Sequence, residues 1–250
     1  MPTTAQLEAP RPPAVEAHLL GQVDFDDCLA LQQRLVYETS GCGNAPITLL
    51  VCEHPLKITV GRQGSRAHIR MSHHELVSRQ IDVRWVNRGG GCLVHAPAQL
   101  AIYPIVPLAR WSFSVGDYLS RLQQGLAEAL DEVACPVETR PGRFGLWAHS
   151  GQVAAIGVAV KNWTTYYGAY VNVAPALYPF RWVQTDPVDD TPMTSLAADR
   201  RRPVRMSGVR EAVVRRLTAA LGCERCHIYT GHPLFRPPRG DRHVRPARVG

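Results

Sequence analysis

The sequence feature that most constrains the fold is a run of three glycines between two strand-like segments. In NRGGGCLVHAPAQLAIYPIVPL, residues 87–108, the triplet Gly89-Gly90-Gly91 follows an alternating segment, residues 81–87, and precedes an apolar one, residues 99–108. Because glycine has no Cβ, such a triplet lets the backbone approach a ligand closely and present its N–H groups to it. A tight turn with His95 packed beside it is the plainer interpretation, and the glycines alone leave both open.

Helix and strand patterns alternate along the rest of the chain. Apolar residues at helical spacing predict helices over residues 24–39, 73–78, 114–133 and 209–221. Apolar or alternating runs predict further strands over residues 47–54, 56–62, 152–163 and 168–175. Strands paired by hairpins, with helices between them, predict an α+β fold in a single domain, with mixed or antiparallel sheets flanked by helices.

The two ends of the chain differ in composition from the middle. Residues 1–18 are rich in Pro and Ala and predict a flexible lead-in, so the domain is expected to span residues 19–222. Residues 223–250 form a C-terminal extension whose tail, from Arg236, carries five arginines and one aspartate, a balance of +4 within the formal net charge of +7. This tail is predicted to be disordered. The remainder shows no basic face interleaved with aromatic residues, so nucleic acid is not an expected partner.

Segments for export or membrane insertion are not evident in the sequence. No apolar run reaches the roughly 18 residues that span a bilayer, and the N-terminus lacks the charge and apolar pattern of a secretory signal, which predicts a cytoplasmic, non-membrane protein with reduced cysteines. The string Cys223-Glu-Arg-Cys226-His227 has the form of a haem c attachment site, but haem attachment requires export. Unpaired thiols are the favoured interpretation, a zinc site including His232 is the alternative, and we predict neither cofactor nor metal.

The glycine stretch resembles the signature of the lipoyl(octanoyl) transferases, which belong to the biotin/lipoate protein ligase family. The matching residues are Arg88-Gly89-Gly90, His95, Pro97, Gln99-Leu100 and Tyr103-Pro104. Further matches follow in the family's order along most of residues 19–221, in CEHPLKITVGRQG, GLWAHSGQVAAIGVAV, TYYGAYVNV and MTSLA. The resemblance implies a single catalytic domain of the biotin/lipoate protein ligase type.

The resemblance also implies a role in protein lipoylation. Such enzymes move an octanoyl group from octanoyl-acyl carrier protein to a lysine on a lipoyl domain of a 2-oxoacid dehydrogenase or on the glycine cleavage H protein. A cysteine takes the acyl group as a thioester, and a lysine nearby lowers the pKa of its thiol, because the thiolate is the nucleophile. The residues implied to bind the substrate are Arg88, Gly89, Gly90, Gly91, Cys92, Leu93, Val94, His95, Ala155, Ile156, Gly157, Gly168, Ala169 and Tyr170.

Both reactive positions of the family are substituted in this chain. Gln152 stands at the lysine position and Asp186 at the cysteine position. Two substitutes are open: Cys92 could act as the nucleophile, or Asp186 with His95 could deprotonate the acceptor lysine for direct transfer. The candidate catalytic residues are therefore Asp186, Gln152, His95 and Cys92.

Three functions remain open at this point, and whether the chain is an enzyme is not decided among them. The first is an octanoyltransferase acting by an altered mechanism. The second is an inactive pseudoenzyme that binds acyl groups or lipoyl domains, which the joint loss of cysteine and lysine favours on chemical grounds. The third is an ATP-dependent lipoate-protein ligase-like enzyme, although that chemistry uses a strand lysine where Gln152 stands.

Overall fold

The computed structural model describes residues 14–41, 45–186 and 191–235. Residues 1–13 of the expected flexible lead-in and the arginine-rich tail from residue 236 lie outside the described residues. The strands, in chain order, are β1 (Ala14–Gln22), β2 (Ile47–Glu53), β3 (Lys57–Val60), β4 (Val83–Trp85), β5 (Cys92–His95), β6 (Gln99–Ile105), β7 (Gly145–Ala148), β8 (Gly151–Lys161), β9 (Thr164–Asn172) and β10 (Arg225–Thr230). The α-helices are α1 (Phe25–Ser40), α2 (His73–Ser78), α3 (Val115–Glu132), α4 (Leu196–Arg200) and α5 (Met206–Ala220).

Two sheets organise the described part of the chain. The larger has the strand order β10-β1-β2-β6-β9-β8-β7, and the smaller has the order β4-β3-β5. β1 pairs in parallel with both β2 and β10, whereas β6, β9, β8 and β7 pair antiparallel. The predicted α+β class with mixed sheets and flanking helices is therefore confirmed. The glycine triplet lies directly before β5, where the smaller sheet approaches β8.

The helices cover both faces of the larger sheet. α3 and α5 pack on one face over the apolar side chains of β1 and β2, and α1 covers the other face near Leu50 and Tyr103. Local sequence explains where these helices begin. The Asp24 carboxylate accepts a hydrogen bond from the Asp26 backbone N–H at 2.7 Å, and the Ser114 hydroxyl accepts one from the Asp117 N–H at 3.0 Å. Both residues satisfy N–H groups that the first helical turn leaves without partners.

Segments near both ends of the chain, which their composition predicted to lie outside the domain, form strands of the larger sheet. Residues 14–18, predicted as part of the lead-in, lie in β1, and part of the expected extension forms β10, which pairs with β1 from Ala14↔Arg225 to Leu19↔Thr230. Cys226 and His227 are consecutive on β10, so their side chains point to opposite faces. Within the described residues, the Cys223 string forms no converging group of metal ligands. None of the described helices is long and apolar enough to cross a membrane.

Candidate functional site

A cavity of about 970 Å³ lies between the glycine triplet and the adjoining strand β8. The triplet side supplies residues 88–91 and Leu93, and β8 supplies residues 155–160. Val115 and Leu119 of α3, together with Phe144 and Trp147 at β7, complete the apolar part of the wall. Of the residues predicted to bind substrate, the cavity is lined by Arg88, Gly89, Gly90, Gly91, Leu93, Ala155, Ile156 and Gly157.

The glycine triplet is both a tight turn and part of the cavity wall. The Gly89 N–H donates to the Val158 carbonyl at 3.0 Å, which brings the turn onto β8. A Cβ on Gly157 would lie 2.6 Å from the Gly89 carbonyl oxygen, and one on Gly61 would lie 2.4 Å from that of Gly90. These separations are too short for any side chain. Gly157 and Gly61 therefore allow the triplet's backbone to pack closely against its neighbours, which supports the tight-turn interpretation, whereas close approach to a ligand stays a prediction.

The Arg88 side chain is fully buried and holds this turn in place through hydrogen bonds. Its Nη2 donates to the Thr59 carbonyl at 3.1 Å and to Thr59 Oγ1 at 2.8 Å, and its Nη1 donates to the Gly89 carbonyl at 3.0 Å. A buried guanidinium needs such partners because an unpaired charge in the interior is costly. The hydrogen bonds hold the cation against the cavity wall, since Arg88 also lines the cavity.

Gln152, at the family's lysine position, lines the cavity from the start of β8. Its backbone is held on both sides: its N–H donates to the Pro192 carbonyl at 2.9 Å, and its carbonyl accepts from the Thr194 N–H at 2.8 Å. The side-chain Nε2 donates to the Ala154 carbonyl at 3.1 Å. One amide hydrogen of Gln152 is thereby fixed, and the second can be offered to a bound group.

Asp186, at the family's cysteine position, lines the same cavity. Its Oδ2 lies 3.5 Å from Arg143 Nη1, and each side chain is about one-third exposed. The carboxylate is thus held beside a cation that precedes β7. The two substituted positions, 34 residues apart in the chain, are brought to one cavity, and this proximity is a property of the fold rather than of either local segment.

Cys92 and His95, the other two candidate catalytic residues, do not line the cavity. The Cys92 side chain is fully buried on the far face of β5, where its Sγ contacts the Ser65 carbonyl at 3.8 Å. Burial raises the pKa of its thiol, so it stays protonated at neutral pH and is a poor nucleophile.

The His95 ring is fully buried between Phe25 and Tyr170, with ring centroids 4.8 Å away in each case. Burial holds the pKa of His95 well below its usual range, so the imidazole is neutral. Its Nε2 lies 2.8 Å from Thr59 Oγ1. The structure therefore places His95 behind Arg88, while Asp186 faces the cavity.

The remaining predicted binding residues also lie outside the cavity wall. Val94 shares the far face of β5 with Cys92, and Gly168, Ala169 and Tyr170 belong to β9, which the larger sheet buries between β6 and β8. The alternation of β5 explains why Leu93 lines the cavity while its neighbours Cys92 and Val94 face away from it.

Several cavity residues were not predicted from the sequence. Arg62 and Gln63 end the CEHPLKITVGRQG stretch, where Gln63 Oε1 accepts from the Gly90 N–H at 2.9 Å and Arg62 Nη1 donates to the Asn87 carbonyl at 2.7 Å. The Gly-Arg-Gln-Gly pattern could have indicated them, because it lies within a family motif. Arg143 and Phe144 come from a loop that carries no comparable signal.

The cavity combines an apolar wall with a net positive charge. The charged residues among its described lining are Arg62, Arg88, Arg143 and Asp186, and the described lining contains neither cysteine nor lysine. Such a site fits an aliphatic chain that ends in a polar or anionic group. Acyl transfer there cannot use a thiol or an amine of the described lining.

Comparisons with known proteins agree with this geometry. The family described as "Lipoyl protein ligase A/B catalytic domain" matches residues 24–218. The octanoyltransferase of Geobacter metallireducens is 35% identical over 214 residues, covering 86% of this chain and 97% of that protein. The octanoyltransferase of Thermosynechococcus vestitus is 32% identical over 208 residues, covering 82% of this chain and 89% of that protein.

Solved structures show the same fold at much lower identity. A lipoate-protein ligase A bound with ATP superposes with a TM-score of 0.67 at 13% identity, covering 86% of this chain and 88% of that one. A bi-partite lipoate protein ligase from Thermoplasma acidophilum superposes with a TM-score of 0.63 at 14% identity, covering 87% of this chain and 86% of that one. At this identity the likeness concerns the fold alone.

Proposed function

The chain belongs to the lipoyl protein ligase A/B catalytic domain family, and we propose that it serves protein lipoylation by moving an octanoyl group from acyl carrier protein to a lipoyl-domain lysine. One observation carries the proposal. Gln152 and Asp186, which stand at the family's lysine and cysteine positions, face the same cavity as the glycine turn. The acceptor is a lipoyl domain of a 2-oxoacid dehydrogenase or the glycine cleavage H protein.

The cavity is suited to receive the acyl chain from the surface. Val115, Phe144 and Val160 line it and are 40%, 44% and 37% exposed, so its mouth is apolar. Ala155, Ile156 and Val158 continue this surface inward along β8. Burying each CH₂ group of an acyl chain there contributes about 0.8 kcal/mol to binding.

Transfer in this cavity is proposed to be direct, because the described lining offers no thiol to form an acyl-enzyme. The acceptor lysine amine attacks the thioester carbonyl, a C–N bond forms, and the C–S bond to the carrier breaks. The Asp186 carboxylate takes the proton from the attacking nitrogen and returns it to the departing thiolate. The second amide hydrogen of Gln152 donates to the carbonyl oxygen as it gains negative charge.

A pseudoenzyme is the second candidate, and a specific observation favours it. Asp186 already has Arg143 at 3.5 Å, so its carboxylate is engaged in an ion pair within the protein. In that case the protein binds the acylated carrier, or the lipoyl domain, without transfer. The ATP-dependent ligase alternative receives no comparable support from the residues of the cavity.

The test mixes the protein with octanoyl-acyl carrier protein and an apo lipoyl domain and follows the acceptor by intact mass. We expect slow transfer of one octanoyl group, below about 1 per second, without an acylated form of the protein. Asp186→Asn should abolish transfer, whereas Asp131→Asn, an exposed carboxylate on α3, should not.

The other outcomes are equally informative. Binding of the acylated carrier with no transfer would favour the pseudoenzyme, and transfer only with ATP and free octanoate would favour the ligase. Failure to bind either protein would contradict the proposal. Transfer at ordinary enzyme rates, together with an octanoyl adduct on the protein, would contradict the direct route.

A further inference from the structure

Two cysteines and a histidine converge on the face of the larger sheet that α1 covers. Cys28 comes from α1, Cys52 from β2, and His54 follows β2 immediately. Their ligand atoms all lie within 4.8 Å of one another, and the three residues are 0%, 3% and 1% exposed. We propose that Cys28, Cys52 and His54 bind a zinc ion that fastens α1 to the sheet.

The separations between these atoms match a tetrahedral zinc site. Cys28 Sγ lies 4.0 Å from Cys52 Sγ, and Cys52 Sγ lies 3.5 Å from His54 Nε2. With Zn–S bonds of about 2.3 Å and Zn–N bonds of about 2.0–2.1 Å, a tetrahedral ion separates two sulfurs by about 3.8 Å and a sulfur from a nitrogen by about 3.6 Å. These two separations lie within a few tenths of an ångström of the tetrahedral values, and all three ligand atoms lie within 4.8 Å of one another.

The imidazole of His54 is already oriented as a ligand. Its Nδ1 lies 2.7 Å from the Val23 carbonyl oxygen, which can only accept, so Nδ1 carries the hydrogen and the lone pair of Nε2 lies on the side of Tyr103 Oη and Cys52 Sγ. Metal-binding histidines are commonly held in this way by a carbonyl behind the ring.

Tyr103 can complete the coordination. Its hydroxyl oxygen lies 2.6 Å from His54 Nε2, where the phenol donates its hydrogen when no metal is bound. Zinc at Nε2 replaces that hydrogen bond, and because a tetrahedral ion separates its nitrogen and oxygen ligands by about 3.4 Å, the phenol oxygen must move away from Nε2 by about 0.8 Å to become a neutral fourth ligand. The residue is fully buried, so no bulk water competes for the position.

Charge balance selects zinc over the other soft metal that thiolates bind, Cu(I). Zinc carries two positive charges, and binding releases the two thiol protons of Cys28 and Cys52 to solvent, so the complex with a neutral imidazole has no net charge. Cu(I) with the same two thiolates would leave one negative charge in a site that is almost completely buried, which is unfavourable.

The experiment uses the untagged full chain, measured by elemental analysis and by Co²⁺ titration. We expect about one zinc per chain and, with Co²⁺, a thiolate charge-transfer band and tetrahedral ligand-field bands that saturate near one equivalent. Retention of less than roughly a tenth of an equivalent of zinc, with no thiolate band, would overturn the proposal. So would a Cys28–Cys52 disulfide in protein that takes up no metal.

Variants separate this site from the Cys223 string. Cys28→Ser and Cys52→Ser should each weaken zinc binding by more than about 100-fold, beyond what loss of a supporting residue causes. Cys223→Ser should bind zinc like the parent. The opposite pattern would assign the metal to the C-terminal string and refute the proposal. The parent measurements decide the matter even if a serine variant fails to fold.

Discussion

His95 and Arg88 share one hydroxyl group: Thr59 Oγ1 lies 2.8 Å from His95 Nε2 and accepts a hydrogen bond from Arg88 Nη2, also at 2.8 Å. The fully buried imidazole is therefore linked through Thr59 to the guanidinium that lines the cavity. We propose that the family's histidine has a positioning role in this chain. Replacing Thr59 should therefore change how firmly Arg88 is held in the cavity wall.

Replacing Thr59 with valine removes that hydroxyl while keeping the shape of the side chain. We expect Thr59→Val to lower the free energy of unfolding by about 1–3 kcal/mol, because a buried guanidinium and a buried imidazole each lose a partner. It should also weaken binding of octanoyl-acyl carrier protein, because Arg88 is less firmly held. Denaturant unfolding and a binding titration measure both effects. Thr164→Val, whose hydroxyl makes only a 3.4 Å contact with the Asn162 carbonyl, should change neither by much.

An alanine at Gly157 tests the close contact between the glycine turn and β8. Its Cβ would lie 2.6 Å from the Gly89 carbonyl oxygen, so the turn has to move. We expect a loss of about 1–3 kcal/mol in the free energy of unfolding and weaker binding of the acylated carrier. Gly208→Ala, in α5 with no atom within 4 Å of the new Cβ, should instead stabilise the protein by up to about 1 kcal/mol. Equal effects from the two variants would contradict this account.

Restoring the family's reactive pair should change the route of transfer. The double variant Gln152→Lys with Asp186→Cys places an amine and a thiol on the same cavity, where the ammonium lowers the pKa of the thiol. We expect a covalent octanoyl adduct, visible by intact mass and removed by hydroxylamine, when octanoyl-acyl carrier protein is added. Asp186→Cys alone should form it more slowly. Asp131→Cys, on an exposed site, should form none, and an adduct there would show that the reaction does not require the cavity.

Acid should destabilise the metal-free protein through its buried histidine His54. Burial lowers the pKa of His54 from an ordinary 6.5 to about 4 in the folded state. Below pH 6.5 the His54 ring binds a proton in the unfolded chain but stays neutral in the folded chain until the pH approaches 4. The free energy of unfolding therefore falls as the pH drops. From pH 6.5 to 4 this residue should remove about 3 kcal/mol, at about 1.4 kcal/mol per pKa unit.

Denaturant unfolding at several pH values, after removal of metal with a chelator, measures the slope of the free energy of unfolding against pH. His54→Gln should flatten the slope between pH 6.5 and 4, whatever it does to stability at pH 8. His74→Gln, on the exposed face of α2, should leave the slope unchanged. A slope that is the same in all three proteins would exclude His54 as its source.

The fold and the family were accessible from local sequence because each depends on patterns within short segments. Helical periodicity predicted α1 and α3 to within about two residues, the usual uncertainty at helix ends. β10 was missed, since an exposed edge strand lacks the apolar pattern of a buried one. Its place beside β1 depends on pairing between residues more than 200 positions apart in the chain.

The candidate site was only partly predictable, for a geometric reason. Gln152 and Asp186 were found by their position in family motifs, and they do meet at the cavity. Cys92 was selected for its place in the glycine stretch, but strand alternation turns it to the opposite face from Leu93. Sequence position alone does not state which face of a short strand a cavity adjoins.

The sequence by itself determined the fold class, the family and the loss of the family's cysteine and lysine. Each of these follows from the order of motifs and the identity of residues, which do not depend on the tertiary structure. Only the tertiary structure decided that His95 contacts Arg88 through Thr59 and that Cys28 meets Cys52 and His54, which lie 24 and 26 positions further along the chain. Such contacts arise when α1 and two sheets pack together. Their distances depend on the packing of all three elements and on no single segment.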